Sequence, residues 1–286
     1  EIKNNKSGDI LYPAIYVNDP IPYTRMKLPY KYPIIIFPDI GENRLYGKWT
    51  LPYSIQKSYK KVWYQLNSNQ LETKKGQLWK NIFTPVLKKG ELQNKKGVKI
   101  TPYRYAQYTK YDQFRITKDF GSVSALNIGI NNKVNTHNLT NLVTMLTKSL
   151  NYKDGKTLYT APYDFRLILN DECFEDYMSR CKDLIKYIER RHKTSIIFIT
   201  KGFGSLLFLL VMNKILPDSS LYVKHWISIN GLFSGCNYAL KCIKNGMSQS
   251  IGIHANAYGT SEYYKELYEG ISPLYFLCPM YSKFYS

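Results

Sequence analysis

Residues 195–209 read Ser-Ile-Ile-Phe-Ile-Thr-Lys-Gly-Phe-Gly-Ser-Leu-Leu-Phe-Leu. The unbroken apolar run Ile196–Ile199 describes a strand covered on both faces, because a half-solvated strand would alternate apolar with polar. Gly202 and Gly204 permit a sharp turn directly after it. Leu206–Leu216 is apolar enough for a buried helix. A buried strand that turns straight into a helix is the building unit of a parallel sheet, since parallel neighbours need a crossover between them. Similar signals recur along the chain. Tyr32–Phe37 contains three consecutive Ile and is stopped by Pro38. Thr157–Thr160 and Tyr222–Ile229 read as further strands. Residues 138–150 are apolar at 139, 142, 143, 145, 146 and 150, a helical spacing. Cys173–Arg191 gathers Phe174, Tyr177, Met178, Cys181, Leu184, Ile185 and Ile188 on one helical face. Strands alternating with helices predict an α/β fold with a mainly parallel sheet and right-handed crossovers.

Residues 44–120 break this pattern. They are rich in Lys, Tyr and Trp, and no period stands out. The reading is a long basic, aromatic insertion with short helices near Val62–Leu66 and Leu78–Leu87. Residues 57–99 hold eleven Lys and two Glu within a chain whose net charge is +19. Such a surface attracts anionic lipid headgroups or an acidic protein partner. Nucleic acid is not expected, because zinc-finger spacing, RNP-like motifs and heptad-bearing basic regions are missing from the sequence. Residues 1–30, with Pro13, Pro20, Pro22 and Pro29, read as an extended arm. No apolar run approaches the length of a bilayer span. The sequence starts at Glu1 rather than Met, which suggests a processed product. The triplets Asn5-Lys6-Ser7 and Asn138-Leu139-Thr140 are N-glycosylation sequons.

The five cysteines follow no metal-site spacing, and neither a metal nor another cofactor is expected. Cys173 and Cys181 fall roughly 12 Å apart along one helix, too far for a disulfide. Cys236 and Cys242 could pair if the segment between them looped. An odd total leaves at least one thiol outside any internal pair.

Thr200-Lys201-Gly202-Phe203-Gly204 has the form of a nucleophile elbow, the G-x-S-x-G turn that lifts a serine above a sheet. Glycine stands where the serine would be. Three other segments accompany it: Pro33-Ile-Ile-Ile-Phe-Pro-Asp-Ile-Gly41, Phe120-Gly-Ser-Val-Ser-Ala-Leu126 and Ala161-Pro-Tyr-Asp-Phe-Arg-Leu167. Together with Trp226–Gly235 and Ile271–Leu277, they give the chain a resemblance to the lecithin:cholesterol acyltransferase and lysosomal phospholipase A2 family. Ala161–Leu167 is nearly that family's Ala-Pro-Tyr-Asp-Trp-Arg-Leu signature and is the most specific match. The resemblance implies an α/β-hydrolase-like core with a basic insertion and a partial cap. It divides the chain into an arm and first core strand (1–43), the insertion, membrane-binding or lid-like (44–120), the core (121–235) and the start of the cap (236–286).

The departures from the family set the functional expectation. The family's nucleophile falls on Gly202 and its preceding His on Lys201. Asp39, Ile40 and Gly41 form the former oxyanion loop, with Asp39 in place of the family's first Gly. The chain stops within the expected cap, so the family's catalytic Asp and His have no matching positions. Ser205, the nearest hydroxyl, lies on the helix after the elbow and should point away. His137, His192, His225 and His254 read as surface or structural residues. Asp164 and Arg166 read as an ion pair fixing the loop beside the elbow. Trp49, Trp63 and Trp79 are candidates for membrane contact or for core packing. Asp39 and Lys201, opposite charges on neighbouring loops, are candidates either to bridge across the crevice or to face solvent independently. The expected function is a catalytically inactive lipase-derived module, binding a protein partner, a second chain or an anionic lipid surface, in the secretory pathway or outside the cell. The alternatives are an active phospholipid O-acyltransferase or phospholipase A completed by another chain, and a lipid-binding carrier.

Overall fold

A computed structural model describes residues 31–62, 74–103, 119–126, 138–215, 221–246 and 261–279. The extended arm expected over 1–30, the sequon at Asn5, and Trp63, His137 and His254 lie outside the described residues. Strands β1 (Ile34–Phe37), β2 (Tyr46–Leu51) and β3 (Ser54–Lys61) lead to helix α1 (Lys74–Phe83) and strands β4 (Val86–Lys88), β5 (Glu91–Gln93) and β6 (Val98–Thr101). Helix α2 (Asn138–Thr144) continues into a π-helical turn over Met145–Ser149. Strand β7 (Leu158–Thr160), helix α3 (Asp171–His192), strand β8 (Ile196–Lys201), helix α4 (Phe203–Ile215) and strand β9 (Val223–Ile229) complete the α/β layer. Helices α5 (Asn237–Asn245), α6 (Ser261–Glu269) and α7 (Ser272–Phe276) follow.

The main sheet runs β7-β1-β8-β9 and its strands are all parallel. Alternation along β1 sends its side chains to two different layers. Ile35 and Phe37 enter a core with Tyr159, Phe198, the inner face of α3 and Leu207 and Val211 of α4. Ile34 and Ile36 enter a second core with Leu158, Ile199 and Leu139, Val143 and Leu146 from the helix over 138–149. Both faces of the central strands are therefore covered, which is why the chain spells them as continuous apolar runs. Helix α3 starts at an Asn170 cap whose side chain accepts from the Cys173 N–H at 3.3 Å. Asp171 and Glu172 in its first turn and Arg190, Arg191 and His192 in its last complement the helix dipole.

The region between β1 and β7 differs from its sequence reading. Its strands β3-β2-β6 make an antiparallel sheet, and β4 and β5 a hairpin. Lys89 and Gly90 at the hairpin turn both have positive φ, as a tight two-residue turn requires. The helix expected at Leu78–Leu87 lies instead at Lys74–Phe83, because Pro85 disfavours helical backbone just before it. Of the helix expected at Val62–Leu66, only Val62 is described, and it follows β3 as coil. Leu45, Val62, Phe83, Val98 and Ile100 share the core cluster of β1 and α3.

None of the five cysteines forms a disulfide among the described residues. Cys236 caps α5 and Cys242 lies within it, so the loop that a Cys236–Cys242 disulfide needed is a helix. Among the described residues no helix is long and apolar enough to cross a membrane.

Candidate functional site

Strand β8 ends at Lys201, helix α4 begins at Phe203, and Gly202 alone forms the turn, with φ +50°. A left-handed residue between strand and helix reverses the chain within one step. Gly204, next along, lets α4 approach the end of β1: a Cβ there would stand 2.5 Å from the carbonyl oxygens of Phe37 and Pro38. This close approach brings the loop after β1 over the turn.

Asp39 fills the space so created. A Cβ on Gly202 would lie 2.1–2.2 Å from the Asp39 carboxylate. The Oδ1 atom accepts the Ile40 N–H at 2.8 Å and the Phe203 N–H at 2.9 Å. One donor comes from the β1 loop and the other from the residue after the nucleophile position. Such a pair, one from each loop, would hold the oxyanion of an acyl-transfer intermediate. Here a carboxylate of the chain itself takes both.

Lys201 does not bridge to Asp39 as its sequence position suggested. Its ammonium pairs with Glu42 Oε1 in a largely buried contact, and Glu42 Oε2 accepts the Asp39 N–H at 3.1 Å. The physical reason is competition: the Asp39 carboxylate is drawn to two backbone N–H groups, which leaves the loop's second carboxylate for the lysine. Glu42 therefore belongs to the site, as does fully buried Asn43, whose Nδ2 donates to the Tyr163 carbonyl at 2.9 Å. Neither was singled out from sequence. A Glu or Asn three or four residues beyond a Pro-Asp pair gives no sign of folding back on it.

Burial above all, then the neighbouring Glu42 carboxylate, pushes the Asp39 carboxyl up to about 6; the two N–H bonds and Lys201 oppose this without cancelling it. The folded state therefore holds a proton that the unfolded chain has released between about pH 4 and 6, so stability should fall as pH rises through that window. Such a displacement is worth at most about 3 kcal/mol, and less for a side chain that keeps some contact with water. Urea unfolding of the wild type and Asp39→Asn from pH 4 to 7 checks this, and the variant should lack that part of the pH slope. Equal slopes would mean that Asp39 titrates as it does in an unfolded chain.

Ser205 is fully buried, and its Oγ lies 2.8 Å from Thr200 Oγ1 and 2.9 Å from Ser228 Oγ. Trp226 Nε1 donates to the same Thr200 oxygen at 2.9 Å. The hydroxyl is thus committed to a polar seam within the sheet and α4. His192 meets the Tyr159 hydroxyl at 3.1 Å, and His225 lies exposed on β9.

Arg166 has no solvent exposure. Its Nε and Nη2 donate to the two oxygens of Asp164 at 3.0 and 2.6 Å. Nη1 donates to the Phe83 carbonyl at 2.6 Å and Nη2 to Asn94 Oδ1 at 3.1 Å. The guanidinium also lies over the Phe83 ring. It therefore ties the signature loop to α1 and to the segment between β5 and β6.

Trp49 and Trp79 are half-buried and packed against the core. Trp49 donates its indole N–H to Ser54 Oγ at 3.0 Å, and Trp79 donates to the Val62 carbonyl at 2.6 Å while stacking on Phe83. The large apolar side chains that stand out from this region are instead Tyr53, Ile55 and Leu87.

Among curated proteins none matches the chain. The family model described as Lecithin:cholesterol acyltransferase matches residues 59–280, which include the Arg166 loop, the turn at Gly202 and helices α5 to α7. A parallel sheet with flanking helices is compatible with the α/β-hydrolase fold of that family. Spanning well over half of the sequence, the match makes the protein a member of the lecithin:cholesterol acyltransferase family.

Proposed function

We propose that the protein is a catalytically inactive member of its family, acting as a binding or structural component of a larger assembly. One observation carries this reading: the Asp39 carboxylate lies over Gly202 and accepts the N–H groups of Ile40 and Phe203. Acyl transfer needs an attacking oxygen, a base beside it and free donors for the developing oxyanion. Gly202 has no side chain to attack with. The two donors are already bonded, and an ionised Asp39 would repel a second anion at the same place.

The exposed edge of the sheet supports a partner. β9 pairs only with β8 among the described strands, and Trp226, Ile227 and nearby Phe233 are between 37% and 51% exposed. An open strand edge with apolar neighbours is a surface that another chain can extend or cover. The basic surface and the exposed Tyr53, Ile55 and Leu87 favour work beside an anionic membrane, and the two sequons favour a lumenal or extracellular location. Ser205, held between Thr200 and Ser228, supplies no substitute nucleophile. The reading that stands against inactivity is an O-acyltransferase or phospholipase A completed by another chain; the reading that stands against a partner module is a lipid carrier.

A serine-directed fluorophosphonate should leave the purified protein unlabelled, and turnover of phospholipid and short-chain esters should equal that of buffer. Robust labelling would overturn inactivity, and its persistence in Ser205→Ala would show that the reactive oxygen lies elsewhere. Lipid extracted in stoichiometric amount from the purified protein would favour the carrier reading over a partner module.

A further inference from the structure

The small antiparallel sheet carries a charge cluster that the turn at Gly202 does not use. Lys48 on β2 stands directly opposite Lys99 on β6. Like charges in a cross-strand pair repel each other and weaken the sheet. A third lysine joins them from β3. The register shifts between the Gly47–Lys60 and Trp49–Gln56 pairs, leaving Lys57 in the bulged stretch opposite Lys48. Trp49 and Gln56 share one face, so the preceding Lys48 and following Lys57 turn toward the other.

Lys48, Lys57 and Lys99 line one cleft of about 390 Å³, and Thr50 lines it with them. None of the three makes an ion pair among the described residues. No acidic residue lines the cleft. Three lysines lining one cleft, none of them ion-paired and Lys48 resting over the Tyr59 ring, match an anion with several oxygens and more than one negative charge. A phosphate monoester has both. A carboxylate offers one charge and two oxygens, too few for three lysines. Lysine also suits phosphate as a compact charge that does not require a planar, two-pronged acceptor.

We infer that Lys48, Lys57 and Lys99 form a binding site for a phosphate monoester, free in solution or on a lipid headgroup. The site is independent of whether the turn at Gly202 is catalytically silent. Its position on the outer face of a sheet leaves the sheet's core contacts out of the test.

The full chain is titrated calorimetrically with glycerol 3-phosphate and cosedimented with phosphatidylcholine vesicles containing phosphatidic acid. Lys99→Glu should weaken binding at least tenfold while keeping or raising Tm, because the Lys48 pair then becomes attractive. Lys241→Gln, an exposed lysine on α5, should bind like the wild type. Loss in Lys99→Glu on the vesicles assigns the phosphate to a lipid headgroup. Loss in the glycerol 3-phosphate titration alone assigns it to a soluble ligand. Equal loss in both variants, or no wild-type binding in either measurement, overturns the site.

Discussion

Gly202→Ser should destabilise the protein by about 2–4 kcal/mol, and adding Asp39→Ala should recover a large part of that loss. Two effects combine at this position. A non-glycine residue at φ +50° is strained by about 1 kcal/mol. The larger effect is collision, because the new Cβ would stand 2.1 Å from Asp39 Oδ2. The carboxylate is short and held by the Ile40 and Phe203 N–H groups, so moving it breaks two charge-assisted hydrogen bonds. Asp39→Ala alone should also destabilise, since it leaves those two donors without their acceptor. In the double variant the collision disappears and the serine hydroxyl enters the vacated space. A double-mutant cycle by urea denaturation should therefore give a favourable coupling of about 1–3 kcal/mol between the two sites. Additive effects would show that Asp39 does not occupy the nucleophile's place in solution. The cycle bears directly on the proposed loss of catalysis, because the same contact both excludes a side chain at 202 and fills the oxyanion donors.

Why this contact was only half legible in the sequence can be argued from its members. The turn itself was readable, since a glycine between a doubly buried strand and an apolar helix has few other uses. The convergence of Asp39 and Lys201 was also readable, from the family positions they occupy. Their partners were not, because two carboxylates three residues apart compete for one ammonium and two N–H groups, and only the folded loop decides the allocation. Elsewhere the same contrast holds. Strands β1 and β8 and helix α3 carry continuous or 3.6-residue apolar patterns, because large apolar partners cover them. Strands β2, β3 and β6 expose one face, and there Lys and Tyr replace the usual short polar residues. The alternation of Trp49, Val98 and Ile100 with lysines was therefore lost in a stretch rich in both. The ladder, not the local spelling, specifies that sheet.

Arg166→Met should be the most damaging single change outside the turn, lowering stability by about 3–5 kcal/mol and Tm by on the order of 10 °C. Methionine fills much of the arginine's volume, so the loss is electrostatic rather than a cavity. It would leave Asp164, only 7% exposed, as an unpaired buried carboxylate, and it would remove the donors to the Phe83 carbonyl and Asn94. Arg166→Lys should fail to rescue, because one ammonium cannot span both Asp164 oxygens, the Phe83 carbonyl and Asn94 as the guanidinium fork does. Asp164→Asn combined with Arg166→Met should be more stable than Arg166→Met alone, since it removes the stranded charge. The second readout is local. With the fork gone, α1 and the segment from β4 to β6 lose their tie to the signature loop, so amides at 83–94 should exchange hydrogen faster than those of β1 and β8. Exchange that rises uniformly across the chain, with Arg166→Lys as stable as the wild type, would mean that the guanidinium merely fills space and joins nothing.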